Sequence, residues 1–96
     1  MVLTLGCEMA KFKLVKVDWI DAAGNTSWQH LRDAQRANPS KIVTIGYKIR
    51  DDKTALTIAG SITENLNVHD TTVIPRGWVT KITPLRGHDY EYQEPK

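Results

Sequence analysis

With 96 residues, 41% of them hydrophobic and 25% charged, the chain has the composition and length of one small globular domain. Its single cysteine, Cys7, excludes an intramolecular disulfide and points to a reducing, cytoplasmic compartment. No apolar run approaches the roughly 18 residues of a membrane span, and a net charge of +2 with a pI near 8.8 falls short of a dedicated nucleic-acid binder. The charge is uneven. Residues 87–96 hold Asp89, Glu91 and Glu94 against Lys96, a net −2 within the chain's +2, so residues 1–86 carry +4.

In chain order, residues 1–10 are expected to be an N-terminal extension, with Met9 a second candidate start. Residues 11–86 are expected to form the domain, and 87–96 a polar tail. Lys11 to Ile20, KFKLVKVDWI, reads as the first strand. Phe12 and Leu14 share one parity and Val15, Val17 and Trp19 the other, so a bulge near Leu14–Val15 is needed to reconcile them. Gly24-Asn25 signals a loop. Thr26 or Ser27 can cap a helix over Trp28 to Ala37. Its narrow stripe of Trp28, Leu31 and Ala34 has to lie across an open edge or end of the sheet, because so short a helix is not stable alone. Asn38-Pro39 ends it.

Lys41 to Ile62 then reads as a hairpin turning at Arg50-Asp51-Asp52-Lys53. In the first arm Val43, Ile45, Tyr47 and Ile49 alternate with Ile42, Thr44, Gly46 and Lys48. In the second Leu56, Ile58 and Ile62 alternate with Ala55, Thr57, Ala59 and Ser61. Each arm thus offers an apolar face to a core. Gly46 and Gly60 mark bends or close backbone approaches. Thr63 to Asp70 reads as a loop, Thr71 to Ile74 as a short strand, Pro75-Arg76-Gly77 as a tight turn and Trp78 to Thr83 as the last strand. Five short strands with one helix inserted after the first predict a mainly β fold, a small, strongly bent barrel of SH3-like or Sm-like type, since closure removes exposed edges. An open sheet with the helix on one face is the alternative.

Several segments together carry a resemblance: Val17-Asp18-Trp19-Ile20-Asp21-Ala22, the tryptophan Trp28, Ile42 to Tyr47, Leu56 to Ser61, and Val73-Ile74-Pro75-Arg76-Gly77-Trp78-Val79. Over roughly Val15 to Leu85 the chain resembles a group of small, mostly uncharacterised accessory proteins of tailed bacteriophages and prophages. The resemblance implies a non-structural protein in the bacterial cytoplasm that counters host defence, either by blocking a defence protein or by sequestering a signalling nucleotide. It brings no functional residues with it.

The residues themselves argue against catalysis. Cys7 has no neighbouring group in sequence to lower its thiol pKa, and Ser61 and His69 lack a G-x-S-x-G elbow. His30, His69 and His88 are scattered, without metal-ligand spacing, and there is no phosphate-binding glycine loop. No cofactor and no metal are expected. The three tryptophans are the best lead. Trp28 reads as a core anchor, whereas Trp19 and Trp78 sit at strand ends, where they either close the core or leave an indole free to stack on a base while an arginine grips a phosphate. Trp19, Arg32, Tyr47, Arg76 and Trp78 are the candidate ligand-binding residues. The expected function is non-enzymatic, namely sequestration of a small anionic nucleotide by a homo-oligomer. The alternatives are inhibition of a host defence protein and nucleic-acid binding, the latter disfavoured by the weak charge.

Overall fold

The computed structural model describes residues 11–92. The elements in order are β1 (Lys11–Phe12), β2 (Leu14–Asp21), α1 (Leu31–Arg36), β3 (Ser40–Asp51), β4 (Ala55–Ile62), β5 (Val68–Pro75), a 3-10 turn (Arg76–Trp78), β6 (Val79–Pro84) and β7 (Tyr90–Glu91). The mainly β expectation holds. Five strands form one antiparallel sheet in the order β5-β4-β3-β2-β6, and β1 pairs with β7 in a separate two-stranded sheet. Among the described residues β5 and β6 do not pair with each other, so the sheet is open rather than a closed barrel.

The core is the inner face of this sheet. Val15, Val17, Leu56, Ile58 and Ile74 are fully buried in one cluster, with Trp19, Val79 and Ile82 packed against it. Each such aliphatic side chain contributes roughly 1.5–3 kcal/mol of transfer free energy. The cluster draws on β2, β4, β5 and β6, so the sheet curls until its two edge strands share one core. In β4 the expected alternation is met, with Leu56 and Ile58 inward, and its first five residues are all buried.

In β3 the face is the opposite of the apolar one. Val17 lies across from Thr44, Val15 from Gly46 and Trp19 from Ile42, and directly opposed residues share a face. Ile42, Thr44 and Gly46 therefore face the core, while Val43 and Ile45 are 55% and 57% exposed on the outer face. Gly46 decides this. A Cβ there would stand 2.6 Å from both the Ala59 carbonyl oxygen and the Ile58 Cγ2. Only glycine lets β4 come this close, which is the close approach expected at this position.

Other expectations shift for local reasons. The parity change in the first strand occurs at Lys13, where the chain leaves one sheet for the other. The bulges lie instead at Asp18/Trp19 and Lys48/Arg50. The hairpin turns at Asp52–Thr54 rather than Arg50–Lys53, starting two residues later and ending one later, because Asp52 Oδ1 accepts from the Thr54 and Ala55 N–H groups at 2.8 and 2.9 Å. β5 starts at Val68, so the polar loop is only 63–67. The segment from Gly87, expected as a tail, returns to the fold: Tyr90 and Glu91 pair with Phe12 and Lys11, and Tyr92 is buried. Tyr90 stacks on Phe12 (centroids 6.4 Å apart) and meets Tyr47 edge-on (6.2 Å), which closes that end of the outer face. Cys7, Met9 and the rest of the expected N-terminal extension lie outside the described residues.

Candidate functional site

Between β2 and β3 the chain makes an 18-residue excursion, Ala22 to Pro39, whose two ends are held together by the Asp21–Ser40 pair. Its sequence explains its form. Asn25 Oδ1 accepts from the Ser27 backbone N–H (2.9 Å) and hydroxyl (2.6 Å), a local turn that competes with helix. The helix therefore starts later than Trp28. His30, not Thr26 or Ser27, caps it, its Nδ1 accepting from the Arg32 N–H at 3.1 Å. Six residues remain for α1, with none buried. The expectation that this helix packs across an edge or end of the sheet, with Trp28 as a core anchor, is overturned. Trp28 is 103% exposed, Leu31 is 69% exposed, and every residue from Ala22 to Lys41 is exposed. A helix this short carries too narrow an apolar stripe to dock against an already filled core. We call the excursion the arm.

At the base of the arm lies a groove of about 400 Å³, lined by Ile20, Ala22, Pro39, Gly77, Trp78 and Thr80, with Asp21 as its only charged lining residue. Trp78 is 42% exposed there. A second cleft of about 290 Å³ shares Ile20 and Thr80 and adds Asp18, Trp19, Lys41, Ile42 and Val43. The fold thus brings Trp19 and Trp78 to neighbouring clefts. They differ in role. Trp19 is anchored, its Nε1 donating to Thr44 Oγ1 at 3.0 Å while its ring packs on the core. Trp78 stands on the 3-10 turn as an open wall.

The other candidates are dispersed. Arg76 is half-buried, with one guanidinium nitrogen 3.6 Å from Asp51 and its backbone N–H donating to Thr54 at 3.1 Å, so it ties the 3-10 turn to the β3–β4 hairpin. It also lines a cleft of about 370 Å³ along β6 with Thr80 and Lys81. Arg32 is on the arm, and Tyr47 is in the aromatic group at the far end of β3. Among the described residues no three His, Cys, Asp or Glu side chains come together as a metal site, and the His69 imidazole lies 3.2 Å from the carboxylate of its neighbour Asp70. No helix among them is long and apolar enough to cross a membrane.

The chain matches no known protein-family model, no curated protein and no solved structure. The site therefore rests on its geometry. Trp28 and Leu31 were assigned to the core by helical spacing alone, and Ile20 and Thr80 carried no signal of their own. The sign in the sequence was Asn25 two residues before Ser27, a side chain able to close a local turn there and delay the helix.

Proposed function

We propose that this protein is a non-enzymatic binding module that docks on a partner protein through the arm, with Trp28 as the anchor. The observation that carries the reading is the fully exposed indole on an excursion that buries nothing in its own fold. A monomer gains no stability from such a residue, whereas an interface gains most from a central tryptophan or arginine seated in a partner's pocket. Leu31 extends the apolar contact, and Arg32 and Arg36 flank it with charge. The resemblance to phage accessory proteins supports a bacterial defence protein as the partner, held in an inhibited state. As the scaffold for this arm we propose a bent sheet of SH3-like type, a reading supported by the strand order β5-β4-β3-β2-β6 and by the 3-10 turn before β6.

Binding to bacterial proteins should be compared for the native chain and Trp28→Ala. The reading requires capture of a defined partner that Trp28→Ala removes while the circular dichroism and melting temperature stay unchanged. Capture unaffected by this substitution rejects it.

One observation favours the nucleotide-sequestering reading as second. The Arg76/Lys81 cleft on β6 shares Thr80 with the Trp78 groove, so a base on the indole would set its phosphate near two cations. A thermal-shift screen against cyclic nucleotides supports this reading if a shift appears and Lys81→Ala abolishes it.

A further inference from the structure

We infer that the Trp78 groove receives the arm of a second copy of this chain, so that two molecules exchange arms and each covers the other's docking indole. The groove and the arm are complementary. The groove is apolar along Ile20, Ala22, Pro39 and Trp78, and its single charged lining residue is the carboxylate Asp21. The arm presents apolar Trp28 and Leu31 beside Arg32 and Arg36. Asp21, Arg32 and Arg36 form no ion pair among the described residues. Seating the arm in the groove matches indole to apolar wall and guanidinium to carboxylate.

The topology makes the exchange reciprocal. Ala22 and Pro39 are the first and last residues of the arm and also two walls of the groove, so the arm springs from the rim of the site. A twofold axis beside that rim carries each arm to the other molecule's groove and closes the assembly at two copies. The molecule's own arm leaves its groove open, since Trp28 makes no burying contact within the chain. A small domain that exposes Ile20, Trp28, Leu31 and Trp78 on one end gains stability by covering them together. The dimer is then a storage form. A partner protein competes for Trp28, and its binding releases the second copy.

The test needs only the purified full chain, so its outcome is separate from whether a host partner exists. Sedimentation equilibrium over a wide concentration range should show a monomer–dimer equilibrium. Trp28→Ala should raise the dimer dissociation constant by about 30-fold or more, the effect of removing a hot-spot residue. Arg32→Glu with Arg36→Glu should weaken the dimer, and adding Asp21→Lys to that variant should restore it. A chain that is monomeric at all concentrations, a dimer unmoved by Trp28→Ala, or a charge reversal that Asp21→Lys does not rescue would overturn the inference.

Discussion

Gly46 and Gly77 show how differently two glycines can matter. Gly46 is pressed against the Ala59 backbone, so Gly46→Ala forces β3 and β4 apart and should cost about 1–3 kcal/mol, measured as a lowered denaturant midpoint. Gly77 has open space around its Cβ position and no positive φ, so Gly77→Ala should stay within about 0.5 kcal/mol. Asp52 illustrates a charge used for a turn. The Arg50 guanidinium, donating at 2.7 Å, holds its carboxyl down from 3.8 to about 2, helped by the Ala55 and Thr54 N–H groups. The folded-state value lies below the unfolded one, so this stabilisation is complete above about pH 4 and is lost as the pH falls towards 2. Asp52→Asn keeps an acceptor oxygen but not the charge. It should flatten the loss of stability over that acid range, as read from urea midpoints at stepped pH.

The elements were legible to the extent that one face alone could be apolar. β4 alternates Leu56 and Ile58 with small Ala55, Thr57 and Ala59, and its inner face was plain. β3 carries apolar residues on both faces, and only the fit of Gly46 under Ala59 selects Ile42 and Thr44 for the core; alternation holds no information on such a contact. The return of Tyr90 to Phe12 was hidden because two-residue strands have no period, and the contact depends on aromatic pairing between the chain's two ends. That pairing should be measurable. Tyr90→Ala removes both the stack on Phe12 and the edge contact on Tyr47, and should cost about 1–2 kcal/mol while raising amide exchange at Phe12. α1 was misplaced onto the sheet because helical spacing reports which residues share a side, not whether anything faces them.

At the scale of the molecule, a sheet curled around one small core carries an arm that takes no part in it. The candidate site was half legible. Trp19 and Trp78 were marked by their strand-end positions and line neighbouring clefts that share Ile20 and Thr80, while Arg76 is drawn off to Asp51 and Tyr47 to the opposite end. Trp28, the residue on which binding is proposed to depend, was read as core because a lone tryptophan on an apolar stripe usually is. With no residue of α1 buried and Trp28 fully exposed, the fold does not need the arm. The most direct test is equilibrium urea unfolding, at a concentration low enough for both proteins to be monomeric, of the native chain and of a variant in which Ala22–Pro39 is replaced by a two-residue Asn-Gly turn joining Asp21 to Ser40. Shortening a free loop by about three halvings should raise stability by about 1–2 kcal/mol through reduced closure entropy. A fall in stability would mean that Trp28 or Leu31 packs on the body of the protein, and would contradict the account.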